Sequence, residues 1–169
     1  MANVIPMHQS KKGNDWHFGL KAHIGVNMAT GFVHTLVATA GNVSDVTLAH
    51  ALLHGGEKVV IGDAGYQGVA KRPENIETKV QLHTAMKPSL RKALKKDKLG
   101  RITEKLEQTK ASVRAKVKHC FHVVKRLFCH RRKRYRGRPK NTAQFYSLFA
   151  FANPVLAQIP WRRTHPIAS

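Results

Sequence analysis

The stretch Lys58-Val59-Val60-Ile61-Gly62-Asp63-Ala64-Gly65-Tyr66-Gln67-Gly68 sets one carboxylate directly after a short β-rich run and directly before a glycine-punctuated turn. The carboxyl ends of strands are where α/β sheets collect reacting groups. A carboxylate in that place is a hard oxygen ligand, and Mg²⁺ binds through one or two of them together with substrate phosphate. Where two metals act, they clamp the attacking and leaving oxygens of a phosphoryl transfer. A plainer reading stays open, because an Asp here also caps the turn or helix that follows. Partner acids are scarce. Asp15 precedes a strand, Asp45 reads as a helix cap, and Glu57 precedes the Asp63 strand. Glu104 and Glu107 open a long helix, where acids suit the dipole in any case. None of these stands at a strand end that faces Asp63.

Charge is the second chemical signal. The 169 residues carry 30 Lys/Arg against 9 Asp/Glu, a formal net charge of +21. Residues 1–79 are nearly balanced, whereas residues 80–169 hold 23 cations and 3 acids, with no acid after Glu107. A half charged in this way repels itself and fits a phosphate-rich partner; a basic, poorly ordered tail is the bland alternative. Arg114 and Lys118 are four residues apart and share a helix face, and Lys125 lies two turns on. With Lys110, Arg126, Arg131 and Arg132 they form the candidate contacts to DNA phosphates, against the alternative of a solvated basic face. His119, Cys120, His122, Cys129 and His130 match no Cys/His finger spacing, and several of them point apart on a helix.

The elements that must position these groups follow from periodicity. Residues 1–15 are polar and read as irregular. Trp16, Phe18, Leu20, Ala22, Ile24 and Val26 alternate with polar or small residues, which predicts a strand with Trp16 and Phe18 in the core. Asn27–Gly31 is a loop of hairpin length before a second strand, Phe32–Ala40. A helix is expected over Val46–Leu53, capped by Ser44 or Asp45 and ended by Gly55-Gly56. The Lys58–Gly62 strand reads as buried on both faces. Residues 67–76 read as a short helix or loop, and Lys79–Met86 as a further strand. Residues 87–103 read as a basic loop that meets DNA, and Glu104–Phe128 as a long helix. Residues 142–152 are an apolar helix candidate stopped by Pro154, ahead of a frayed tail from Pro160. The sum is one α/β domain with a mixed sheet.

The two cysteines read as reduced thiols in a cytoplasmic protein, since no secretory signal opens the chain. No run of about 18 apolar residues exists, which excludes a membrane-spanning helix.

Three segments, in order, resemble one family. Met7-His8-Gln9-Ser10-Lys11-Lys12-Gly13-Asn14-Asp15-Trp16-His17-Phe18-Gly19-Leu20-Lys21-Ala22-His23-Ile24-Gly25-Val26 resembles a segment of bacterial insertion-sequence transposases of the DDE class, insertion-sequence-five group. Gly62-Asp63-Ala64-Gly65-Tyr66-Gln67-Gly68 is similar to their second catalytic aspartate, and residues 110–137 to their signature helix. The likeness runs from about residue 7 to 153. It implies a ribonuclease H-like fold, an Asp-Asp-Glu triad with two Mg²⁺ ions, and cutting and joining of DNA. By that resemblance Asp63 is the second acid and a metal ligand. Lys118 stands where the family has its glutamate, and Arg114 and Lys125 flank that position. The family's first aspartate and central strand lie upstream of the Met7 segment.

The expectation is therefore a truncated catalytic domain over 1–153, basic over 87–140, with an irregular tail over 154–169. It is an inactive remnant that retains DNA binding; the alternative is a regulatory protein that interferes with full-length transposase. Expected partners are DNA and a full-length transposase or a second copy, with no membrane. Exposed edges on the Trp16–Val26 and Lys58–Gly62 strands, and with them low solubility or partial folding, are also expected.

Overall fold

A computed structural model describes residues 7–76 and 79–164. The first six residues of the expected irregular start and the last five of the expected tail lie outside the described residues. The chain divides into two compact units, Met1–Ser44 with Val117–Ser169, and Asp45–Lys116.

In the first unit, β1 (His8–Lys12), β2 (Asp15–Val26) and β3 (Val33–Ala40) form an antiparallel sheet in that order. The β2–β3 hairpin is as expected from its alternation. Its loop is held by Asn27 Oδ1, which accepts the N–H groups of Ala29 (2.8 Å) and Thr30 (3.0 Å), while Gly31 supplies a φ of 78°. β1 corrects the reading of residues 1–15 as irregular. His8-Gln9-Ser10-Lys11-Lys12 has no apolar alternation, and only its ladder to Asp15–Gly19 makes it a strand.

Trp16 and Phe18 are a second correction: they are 65% and 56% exposed, not core. The reason lies in the register. β3 pairs with β2 from Leu20 to Val26, so the Asp15–Gly19 end outruns the packed sheet and has only β1 beside it.

Two further helices enter this unit. α3 begins elsewhere in the chain and runs Lys98–His122; it passes into a π turn, Val123–Leu127, where Phe128 N–H donates to Val123 O at 3.0 Å. α4 runs Arg138–Thr164. The core holds Leu36, Cys120, Val123, Val124, Phe149, Ala152 and Leu156.

α4 also finishes the outer edge of β3. The Asn153 amide donates to Val33 O and accepts from Val33 N–H, both at 2.9 Å. Tyr146 Oη donates to Leu36 O at 3.0 Å, and Arg138 donates to Ala38 O at 3.1 Å. These contacts, with Leu156 buried beyond them, explain why α4 continues through Pro154 instead of stopping there. A mid-helix proline costs about 3 kcal/mol, and packing on both sides of it offsets that cost. β1 pairs only with the Asp15–Gly19 half of β2 and β3 only with its Leu20–Val26 half, so among the described residues each half of β2 has one strand neighbour and keeps an open edge.

In the second unit, β4 (Val59–Gly62) and β5 (Gln81–Thr84) pair in parallel. The described residues thus form two separate sheets, not one mixed sheet. β4 is not buried on both faces: it has one neighbour, and Val59 is 38% exposed. The helix expected over 46–53 is two 3₁₀ turns, Asp45–Leu48 and His50–Leu52. Eight residues that include β-branched Val46 and Thr47 are too few to hold an α-helix without strong packing. Two 3₁₀ turns (Ala64–Tyr66 and Val69–Lys71) and α1 (Pro73–Ile76) lead on to β5. The expected basic loop over 87–103 is instead α2 (Pro88–Lys92) and the start of α3. Pro88 at the first turn starts α2. Asp97 caps α3, its Oδ1 accepting Gly100 N–H at 2.7 Å.

Candidate nucleic-acid interface and carboxylate turn

Asp63 follows β4 directly and is exposed. Its Oδ1 accepts Gly65 N–H at 2.8 Å, capping the Ala64–Tyr66 turn, so the capping geometry is realised. Gly62 admits the Tyr66 side chain: a Cβ on Gly62 would lie 3.0 Å from Tyr66 Cβ. Sequence reasoning missed the second carboxylate at this turn. The space beside Gly65 is bounded by Asp63 Oδ1 at 3.0 Å and Asp45 Oδ2 at 3.6 Å from the position a Cβ would take. Eighteen residues and no shared pattern separate these acids, and only the contact of their two 3₁₀ turns brings them together. Burial, and then the charges of Asp45 and Asp63, push the Tyr66 phenol up to about 12.

Two carboxylates are suitable oxygen donors for a hard cation. The third expected ligand position, 118, is a lysine.

Glu107 is the other carboxylate of note in this unit, and it is only 4% exposed. It accepts Met86 N–H at 2.9 Å and the Lys110 ammonium at 2.7 Å, and Lys110 also donates to Thr84 O at 3.1 Å. The pair fastens α3 to the end of β5. Lys110, a candidate DNA contact by sequence, therefore has its charge engaged inside the protein, with its side chain 12% exposed. Along the same unit, α2 and α3 border a groove of about 440 Å³ lined by Arg91, Lys95, Lys96, Arg101 and Lys105, with Glu104 paired to Arg91. Gly100 makes this possible, because a Cβ there would overlap the Lys95 carbonyl.

Arg114 is half-buried on α3 in this unit. The remaining candidates belong to the first unit. Lys118, Lys125, Arg126, Arg131 and Arg132 are all exposed. The π turn explains how Lys125 and Arg126 come to be so. Val123 and Val124 are consecutive and both buried, and the widened turn lets both reach the core while the next two residues face water. Cys129 closes the turn at a φ of 51°. Lys125 Nζ lies 5.9 Å from the Phe121 ring centre.

The arginine-rich loop that follows is held at both ends. His130 is buried edge-on against Phe145, 5.7 Å between ring centres, and burial followed by Arg134 holds its pKa below the ordinary value. Asn141, 2% exposed, accepts Tyr135 N–H at 3.3 Å and donates to Tyr135 O (2.7 Å) and Gly137 O (2.6 Å). The loop's cations are thus presented on a fixed frame, which lowers the ordering cost of gripping a ligand. Of the thiols, Cys120 lies in the core, donating to Gly31 O at 3.4 Å, and burial pushes it up to about 11. Cys129 is exposed.

No helix among the described residues is long and apolar enough to cross a membrane. No solved structure matches the chain. A family profile described as "Transposase DDE domain" matches residues 2–153.

Proposed function

The chain belongs to the Transposase DDE domain family, and on that premise we propose that it is a DNA-binding form of an insertion-sequence-five-group transposase domain that has lost its own strand cutting and joining. The family acts on DNA in transposition and works with a divalent metal. The mixture of sheets and helices agrees with such a domain. An antiparallel hairpin, then a parallel strand followed by Asp63, then a long helix supports the ribonuclease H-like reading of the fold.

One observation carries the loss of chemistry. Position 118 is a lysine within residues 108–169, which contain no carboxylate at all. Metal-assisted phosphoryl transfer needs anionic oxygen ligands at the reacting phosphate, and this half of the chain offers only cations. Asp63 keeps the ancestral place of the second acid, with Asp45 beside it.

The cations have a use of their own. Lys118, Lys125, Arg126, Arg131 and Arg132 stand in water along the signature stretch and loop, and Arg114 adds to them; these are the phosphate contacts. Lys110 serves in packing, through Glu107. Neutralising about six phosphates makes binding fall by about 10³-fold between roughly 50 and 200 mM salt. Titrating the full chain against a labelled duplex at several salt concentrations measures that slope, and a flat profile would refute the phosphate grip. Mg²⁺- or Mn²⁺-dependent cleavage of element-end DNA that vanishes in Asp63→Ala would refute the loss of chemistry.

A further inference from the structure

We propose that one face of the β1–β2 hairpin is a stacking platform for unpaired DNA bases, a reading that rests on the chain being a DNA binder and adds which form of DNA it holds. Side chains alternate along a strand, so Trp16 and Phe18 share a face of β2. Their partners across the ladder are Lys11 and Gln9, which project to that same face. Asp15 and His17 fall on the other one.

Each ring carries a cation. Lys11 Nζ lies 5.7 Å from the Trp16 ring centre, and Lys133 Nζ lies 4.3 Å from that of Phe18. Lys133 belongs to the arginine-rich loop, so the loop's charge is delivered to the aromatic face. With both ammoniums in place, the rings still expose 65% and 56% of their surface.

Spacing selects the ligand. Two strand residues span about 6.8 Å, twice the roughly 3.4 Å rise between stacked bases. Neighbouring bases reach the two rings only when splayed apart, which excludes an intact duplex. Every base has a π face, so such a platform is indifferent to sequence, and flexible lysines beside the rings meet the intervening phosphates. A second copy is a poor occupant, since its own cationic hairpin would be repelled.

The test compares full-length protein with the Trp16→Leu/Phe18→Leu double variant, read by anisotropy on labelled oligothymidylate of about 16 nucleotides and on duplex of equal length. The expected result is a loss of about tenfold or more on oligothymidylate, no more than about twofold on duplex, and an unchanged salt slope. Trp16→Phe/Phe18→Tyr, which keeps both rings and guards against a folding artefact, retains binding to oligothymidylate. His17→Ala, on the opposite face, changes neither. Equal losses on both DNAs, no loss on oligothymidylate, or a loss equally large in the ring-keeping variant would overturn the platform. So would a change in the DNA-free sedimentation of the double variant, which would assign the face to self-association. Failure of the parent protein to bind duplex in a salt-dependent way would instead overturn the phosphate grip, and the two failures are separable.

Discussion

Asp63 and Glu107 are two carboxylates of the same compact unit in opposite settings. Asp63 sits in water at the end of β4 and caps a three-residue turn through Gly65 N–H. Glu107 is buried on α3 and holds a backbone N–H and an ammonium that also reaches Thr84 O. The residue proposed as the family's acid has little structural work, while Glu107 has much. A proposed catalytic acid and a fold-holding acid thus differ in what each touches.

The largest test of that contrast is stability. Glu107→Ala leaves the Lys110 charge buried without its partner and is expected to cost about 3 kcal/mol. Asp63→Ala removes a turn cap and is expected to cost about 1 kcal/mol. Urea unfolding of the full chain measures both, and equal costs would erase the distinction.

A smaller effect is the acid limb of stability. Burial raises the Glu107 pKa, but the Lys110 and Met86 hydrogen bonds outweigh it and the net value is below 4.5. The unfolded chain therefore takes up the proton first as pH falls, and the stability that Glu107 supplies is full above about 4.5 and fades below it. Thermal melts across acid pH should show a shallower decline for Glu107→Gln than for the parent. A parallel decline would mean that other carboxylates set the limb.

The smallest effect is at Tyr66. Between pH 10 and about 12 the folded protein retains a phenol proton that the unfolded chain has released, so stability falls as pH rises through that window. Phenolate absorbance should show a late-titrating tyrosine that Tyr66→Phe removes. Asp63→Asn should move it to lower pH, because one of the two charges opposing the phenolate is gone. No movement would leave the shift to burial and Asp45.

Legibility followed the range of the interactions involved. The β2–β3 hairpin was readable because alternation is local, and Asp63 because a strand and a glycine turn flank it in sequence. β1 was not, since its polar residues become a strand only by pairing. The burial of consecutive Val123 and Val124 breaks any 3.6-residue period, so the π turn left no mark in the pattern. Pro154 is a true local stop signal, overruled by Asn153 and Leu156 packing far away in sequence. Trp16 and Phe18 show the limit of alternation: it reports a strand but not how far the neighbouring strands extend. Asp45 beside Asp63 had no sequence signal at all, and Lys110 gave no hint that its charge would be spent on Glu107.

The cover that α4 lays over β3 has a directional consequence. With Val33, Leu36 and Ala38 already bonded to Asn153, Tyr146 and Arg138, the antiparallel sheet is shut at one end. Among the described residues its other end is β1, whose outer side faces no strand. The open side of the sheet thus lies at β1 and along the β2 residues that have one strand neighbour, and a strand recruited from any source adds there, alongside the hairpin that displays Trp16 and Phe18.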